Sequence, residues 1–287
     1  MKKNLVKYLL SAGFIIAFSG ICFNGLSQAG GGKVKLSYNY PVGQSISYLN
    51  KSTMAQVMDI EGQSMQTDVT AEFGCTIKAT GQQDNNLKLE IIVDTLGQLT
   101  NSPMGGGGGA IMSVKGKSCN IIISPQGKPL DISEAANVVY NVEGSGESNL
   151  SQSMSDLFPV LPSDPVSVGD VWNMSDSILT KSSTMTMKVT DNTVNKLEGF
   201  ETVDGKECAK ISTQHSGMWN MSIQSQGMDI EIKGPYTGTS ECLFAVKEGY
   251  FIKNTGSSKM TGKLDIISMG MSMPIVIDSK SVNEMRK

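Results

Sequence analysis

The feature that most constrains this chain is an alternation of apolar and polar residues, with period two, that recurs along most of its length. Clear examples are Leu87–Val93 (LKLEIIV), Cys119–Ile123 (CNIII) and Cys242–Val246 (CLFAV), and the turn sequences PQG and KEG come soon after the last two. Such runs, rich in Thr, Ser, Val, Ile and Met, are typical of antiparallel strands joined by hairpins. We therefore predict a mainly β protein.

Helix is predicted only between residues 131 and 165. Asp131 and Glu134 have the spacing of a capping box, and Pro159 and Pro162 end the helical pattern. Between them an apolar stripe at i, i+4, i+7 and i+8 comprises Leu150, Met154, Leu157 and Phe158. The predicted organisation is a first antiparallel β half over 33–130, a helical connector over 131–165 and a second antiparallel β half over 166–287, each half a half-barrel or curved sheet.

The first 29 residues are predicted to be a secretory signal peptide. Lysines near the start precede an apolar run from Tyr8 to Phe23, and Ser27 and Ala29 supply the small residues of a cleavage site. Polar residues and glycines interrupt the run and no basic stop-transfer segment follows, so we expect no transmembrane segment after cleavage. The expected location is the periplasm or the outside of the cell, in association with the envelope.

The charge balance argues against two classes of partner. The chain has 24 Lys and Arg against 27 Asp and Glu, a formal net charge of −3. Residues 1–29 carry three lysines and no acid, so their removal changes the net charge from −3 to −6. A mildly acidic chain with scattered charges is not expected to bind nucleic acid or an anionic membrane surface.

Four cysteines follow the predicted signal peptide, an even number that permits two disulfides in an exported protein. We predict that Cys208 pairs with Cys242, since both lie in apparent strands of the second half, and that Cys75 pairs with Cys119. Four buried free thiols are the alternative. The sequence has no CxxC motif and a single histidine, so no metal site, zinc in particular, is predicted.

No catalytic residue and no cofactor are predicted, and the expected function is non-enzymatic. The one histidine, His215, lies in the sequence TQHSG without a GxSxG motif, and it is expected to be solvated or locally hydrogen-bonded. The five glycines Gly105–Gly109 are interpreted as a flexible hairpin tip, because Ile111 stands where a phosphate-binding loop needs glycine.

The 18 methionines are the compositional anomaly, and many occur at alternate positions of predicted strands. Residues i and i+2 of a strand share one face, so Met269, Met271 and Met273 are expected to point the same way. The candidate ligand-binding residues are Met54, Met58, Met185, Met187, Met221, Met228, Met271 and Met273. Such a face could fill an irregular core, line a concavity for an acyl chain or apolar peptide, or hold Cu(I) through its thioethers.

A short internal repeat supports two related halves. MDIEGQSM at Met58–Met65 and MSIQSQGM at Met221–Met228 share the spacing MxIxxQxM, and both are flanked by alternating apolar residues. The repeat therefore favours a two-half β architecture.

Two further motifs, YNYPVG at Tyr38–Gly43 and FPVLPSDPVSVGDVW at Phe158–Trp172, resemble those of a family of exported bacterial β-rich proteins of unknown function. The resemblance covers nearly all of the chain after residue 29 and implies no catalytic residues. The predicted architecture is also loosely similar to that of the periplasmic lipoprotein carriers, which hold acyl chains in an apolar concavity. That similarity implies an apolar ligand; the alternatives are a structural or protein-interaction module without a small ligand and a Met-based Cu(I) binder.

Overall fold

The computed structural model describes residues 32–60, 62–103, 105–142, 146–181, 185–225 and 228–286, so the predicted signal peptide lies outside the described residues. The strands of the first part are β1 (Ser45–Ile60), β2 (Gln63–Gln83), β3 (Asn86–Asn101), β4 (Gly107–Ala110), β5 (Ser118–Ile123), β6 (Pro129–Asp131), β7 (Val139–Val142) and β8 (Gly146–Asn149). Those of the second part are β9 (Val171–Lys181), β10 (Met185–Val203), β11 (Lys206–Ser225), β12 (Met228–Ala245), β13 (Tyr250–Ile266) and β14 (Met271–Met285). The described residues also contain one short α-helix, α1 (Ser151–Ser155), and 3-10 turns at Met112–Val114, Ser133–Asn137 and Ile267–Met269.

The strands form one large antiparallel sheet, which confirms the mainly β prediction. Twelve strands belong to it, in the order β6-β5-β3-β2-β1-β14-β13-β12-β11-β10-β9, with β4 beside β3, while β7 and β8 form a separate hairpin. Neighbours in this order are mostly neighbours in sequence, as expected of hairpins.

The pairing that joins the strands farthest apart in sequence is that of β1 with β14, the first and last strands. Their register runs from Tyr48 opposite Met285 to Met58 opposite Ile275. The segments predicted as two β halves are therefore two parts of one continuous sheet.

The sheet is curved so far that its two ends approach each other. The Nζ atom of Lys128, in the turn before β6, lies 3.3 Å from the Oδ2 atom of Asp176 on β9. The α1 segment lies between the ends: the hydroxyl of Thr180 on β9 donates to the Gln152 side chain at 2.6 Å, and the Asn283 amide on β14 donates to the Leu157 carbonyl at 3.5 Å. The face that meets α1, called the inner face, is thus enclosed.

The connector contains less helix than the sequence predicts, and the predicted capping box is wrong. Asp131 accepts hydrogen bonds from the backbone and hydroxyl of Ser133, whereas Glu134 accepts from Asn120 of β5. Among the described residues of the connector only the single turn α1 is α-helical. The chain after it is held extended, since the Leu161 N–H donates to the Gln126 carbonyl. In the described part of the chain no helix has the length and apolarity needed to cross a membrane.

One end of the enclosed space is an aromatic core that contains the motif residues. Tyr38 meets Phe158 edge to face with ring centroids 5.6 Å apart, and the hydroxyl of Tyr48 donates to the Phe251 carbonyl at 2.8 Å. The Tyr40 and Tyr48 hydroxyls are 3.2 Å apart. The YxYxxG and FPxLP motifs thus bring together aromatic side chains that close this end of the sheet.

The predicted disulfides are not formed; the four described cysteines are free and buried. Cys208 lies three residues from Ile211, which pairs with Cys242, so the side chains of Cys208 and Cys242 point to opposite faces of the sheet. Cys75 pairs with one side of β3 and Cys119 with the other. Two strand spacings, about 9–10 Å, separate that pair, and a disulfide needs Cα atoms within about 7 Å.

Candidate functional site

The inner face brings all the predicted methionines into one apolar cluster. Six are buried and two, Met228 and Met271, are partly buried. The buried ones are Met54, Met58, Met185, Met187, Met221 and Met273. They come from β1, β10, β11 and β14, and the curvature of the sheet makes them neighbours. We call this group, together with the other apolar residues that join it, the Met cluster.

Three members of the Met cluster, Trp219, Tyr236 and Met260, are not singled out by the sequence. Each is buried on the inner face, and the register places Tyr236 directly opposite Met260. In the sequence these residues show only the alternation of ordinary strands, as Met260 does with Leu264 and Ile266. Such alternation does not distinguish a binding site from a core.

The Met cluster reaches solvent at the hairpin tips that join β1 to β2, β11 to β12 and β13 to β14. Met65, Met228 and Met271 are partly buried there, while Ile267 and Met269 are 55% and 44% exposed. We call this set of residues the Met rim. Met269 lies in a 3-10 turn before Gly270, not in a strand, so the prediction that it shares a face with Met271 and Met273 is wrong.

Both copies of MxIxxQxM form hairpins at this end, but their registers differ. Met58 pairs with Met65 in the first, whereas Met221 pairs with Ile232 in the second. The last pairs of the two hairpins, Ile60 with Gln63 and Ser225 with Met228, therefore fall at different positions of the motif.

The enclosed space is nearly filled by its own side chains. Two cavities of about 30 and 50 Å3 lie on either side of Gln152 and Asp156 of the α1 segment. The first is bounded by Trp219, Tyr236 and Met260. A water needs about 10–15 Å3, whereas pockets for small ligands measure about 300–1,000 Å3, so these cavities are of water size.

A band of polar side chains crosses the inner face between the aromatic core and the Met cluster. The register aligns it in two cross-strand rows. One row contains Thr193, His215, Ser258 and Ser279, and the other contains Asn195, Thr213, Ser240, Ser281 and Ser52. Some of their hydrogen bonds lie within the band, as where the Thr213 hydroxyl donates to Asn195 Oδ1 at 2.8 Å. We call these residues the polar belt.

Asp156, which follows α1, faces the polar belt and has a perturbed acidity. Burial raises the pKa of its carboxyl to about 6, against hydrogen bonds from Gln152 and Ser155 that lower it, and the charge of Asp191 raises it further. The Asp156 carboxyl therefore changes charge near pH 6.

Next to Asp156, three side chains on adjacent strands form a hydrogen-bonded chain. Asp191 Oδ2 on β10 lies 2.9 Å from His215 Nδ1 on β11, and His215 Nε2 lies 3.0 Å from the Ser240 hydroxyl on β12. The Asp191 and His215 side chains are only 15% and 10% exposed. His215 is thus an ordered, largely buried member of the polar belt, and its partners lie 24 and 25 residues away in sequence, where no local motif indicates them.

Tyr236 connects this chain to the Met cluster. Its hydroxyl interacts with the Asp191 carboxylate, while its ring belongs to the Met cluster. Burial, followed by the interaction with Asp191, raises the pKa of the Tyr236 hydroxyl. Within the described ranges, no group of three or more His, Cys, Asp and Glu side chains is arranged to hold a metal ion.

Comparison with known proteins gives no assignment. No family model matches the sequence, and no curated protein matches it. Among solved structures, OccK2 of Pseudomonas aeruginosa aligns over 86% of this chain and 99% of its own, with 5% identity and a TM-score of 0.25. An exported protein with a YmcC-like fold from Bacteroides fragilis aligns over 88% and 99%, with 9% identity and a TM-score of 0.21.

A DUF1329 family protein from Desulfovibrio piger aligns over 85% of each chain, with 11% identity and a TM-score of 0.15. Scores this low carry no argument about the site. The family resemblance drawn from the YxYxxG and FPxLPxxPVxVGDxW motifs stays a prediction.

Proposed function

We propose that this is an exported cell-envelope protein that binds an apolar chain, an acyl chain or the lipid part of a lipoprotein, among the methionines of its inner face, without chemical change to the ligand. The observation that carries the proposal is the continuity of the Met cluster. It runs from the partly buried Met228 and Met271 of the Met rim to interior side chains such as Met187, which is only 1% exposed. An apolar chain entering at the rim would meet apolar surface throughout.

Methionine suits this role because its side chain is unbranched and has three rotatable bonds. Ligand entry requires the interior to repack, since the cavities of about 30 and 50 Å3 are too small for an acyl chain. Thioether side chains change rotamer and remain in contact with a guest at low cost, whereas β-branched residues are stiff at χ1. The abundance of Met where the sheet encloses space supports binding by rearrangement.

The test is a titration of the protein with a C16 fatty acid, followed by native mass spectrometry and by the fluorescence of Trp219, which lies in the Met cluster. Met271→Lys places a charge on the Met rim and should weaken binding at least about tenfold, because the ligand would then enter past a charged side chain. Met218→Lys is the matched control. Met218 is 43% exposed and lies on the outer face of β11, so that variant should bind as the wild type does.

Absence of stoichiometric fatty acid on the wild type, or equal weakening by both lysine variants, would reject the proposal. The second candidate, a structural or protein-interaction module without a small ligand, is favoured by the filled interior. It predicts no fatty-acid uptake and no change in melting temperature on addition of the acid. Copper binding is not proposed, since the methionines of the Met cluster are spread over several strands of the sheet.

A further inference from the structure

We propose that Ser240 is a nucleophile that attacks acyl esters, with His215 as its general base and Asp191 as the residue that positions His215. The observation is the chain of two hydrogen bonds, 2.9 Å from Asp191 to His215 Nδ1 and 3.0 Å from His215 Nε2 to Ser240. This activity would use the apolar-chain site proposed above, but it replaces binding without chemical change by hydrolysis of a bound ester.

The direction of both hydrogen bonds follows from the chemistry of the groups. An ionised carboxylate has no proton to donate, so Nδ1 of His215 carries the hydrogen and donates it to Asp191. In the neutral imidazole, Nε2 is then an acceptor, and the Ser240 hydroxyl must be the donor. The proton of Ser240 therefore already points at the base that would remove it, which is the arrangement that activates serine in acyl transfer.

Small residues surround Ser240, so a substrate carbonyl would reach it through the same repacking of the interior that ligand entry requires. Its cross-strand neighbours are Thr213 on β11 and Gly256 on β13, and Gly238 precedes it by two residues on the same face. Cys242 follows it by two residues on that face, so two of the four flanking positions carry no side chain. Ser240 itself is partly exposed.

The Met cluster indicates the substrate class, and this part of the inference rests on the proposed function. Tyr236 of the Met cluster lies four residues before Ser240 on β12, a distance of about 13 Å along a strand. An acyl chain held by the methionines would direct its carboxyl end towards the polar belt. The expected substrate is an ester of a long-chain fatty acid.

The reaction is balanced with water as the second substrate. Ser240 Oγ bonds to the ester carbonyl carbon while His215 Nε2 takes the hydroxyl proton. Collapse of the tetrahedral intermediate breaks the bond to the leaving alcohol, which receives that proton from His215. Water, deprotonated by His215, then attacks the acyl-serine, and the carboxylic acid and free Ser240 result.

The experiment is labelling with a fluorophosphonate probe, combined with hydrolysis of p-nitrophenyl acetate and p-nitrophenyl palmitate. The wild type should be labelled at Ser240, identified by peptide mass spectrometry. Ser240→Ala should remove the label and the esterase activity, while Ser257→Ala, on the outer face of β13, should keep both. Asp191→Asn should lower kcat for the acetate ester by about 10³–10⁴-fold with little change in KM, since the histidine is then misoriented.

The outcomes separate this inference from the proposed function. An unlabelled wild type that hydrolyses neither ester, or label that persists in Ser240→Ala, overturns the nucleophile assignment whether or not fatty acid binds. Labelling with turnover of the acetate ester, but no fatty-acid uptake and no preference for palmitate, supports Ser240 and rejects the apolar-chain site.

Discussion

Asp156→Asn is expected to stabilise the protein at neutral pH, which is unusual for the loss of a hydrogen-bonded carboxylate. Burial is the main reason why the pKa of Asp156 is raised from its ordinary 3.8 to about 6. Ionisation of Asp156 therefore costs more free energy in the folded protein than in the unfolded chain. At about 1.4 kcal/mol for each pH unit, the rise corresponds to about 3 kcal/mol at pH 8, an upper bound because Asp156 is only partly buried. Asparagine occupies nearly the same volume and still accepts from Gln152.

The raised pKa also determines whether the stability of the wild type rises or falls with pH. Between about pH 4 and pH 6 the folded state holds the Asp156 proton more tightly than the unfolded state does, so raising the pH through this window favours unfolding. Below about pH 4 the carboxyl is protonated in both states and contributes no difference. The wild type should accordingly lose stability relative to Asp156→Asn as the pH rises from about 4 to about 6, with a constant difference above that.

Urea denaturation at intervals from pH 4 to pH 8 measures the difference directly. Subtraction of the two curves removes the contributions of the other carboxyl groups, which both proteins share. Asp84→Asn is the control: Asp84 is exposed, at φ 51° in the β2–β3 turn, a conformation that asparagine also adopts, so its curve should parallel the wild type. The reasoning would be refuted by a difference between wild type and Asp156→Asn that stays flat with pH, or by one in which the advantage of the variant is smaller at pH 8 than at pH 4.

Three further predictions concern the two ends of the enclosed space and the cysteines. Met221→Leu should cost under about 1.5 kcal/mol in urea denaturation, whereas Met221→Asp should cost more than about 3 kcal/mol, because Met221 is 3% exposed and a buried carboxylate there has no partner charge. Tyr48→Phe should cost about 1–3 kcal/mol, since it leaves the buried Phe251 carbonyl without its 2.8 Å donor; an unchanged urea midpoint would contradict this. Ellman's reagent should react with none of the thiols at 75, 119, 208 and 242 in the folded protein, because all are buried, and with all of them in denaturant; fewer in denaturant would indicate disulfides.

The sequence predicts the strands well because their signal is local. Alternation along Leu87–Val93 or Cys242–Val246 needs no knowledge of the partner strand, and the turn residues that follow limit each strand. The same reasoning fails at Met269, which lies in a 3-10 turn and not in a strand. It overestimates helix at Leu150–Phe158, because an i, i+4, i+7 stripe is also produced by a single turn followed by extended chain that packs on the same core.

Which strands pair with each other cannot be predicted from a short segment of the sequence. That β1 pairs with β14 depends on the curvature of the whole sheet, and the disulfide prediction fails for the same reason. Cys75 and Cys119 do share a face, but β3 lies between them, which only the strand order reveals.

The polar belt shows most clearly why the site could not be derived from the sequence. In sequence, Ser279 and Ser281 continue the buried face of Ile275 and Ile277, so a local pattern cannot explain hydroxyls at core positions. Register places them beside Ser258, His215 and the other belt residues, where each buried hydroxyl has polar neighbours on adjacent strands. A chain under selection for stability alone would fill these positions with apolar residues, since a buried polar band stabilises little compared with apolar packing. The belt is therefore the part of the inner face where function, rather than packing, best explains the residues, and its hydrogen-bonded chain from Asp191 through His215 to Ser240 is where that function should be sought.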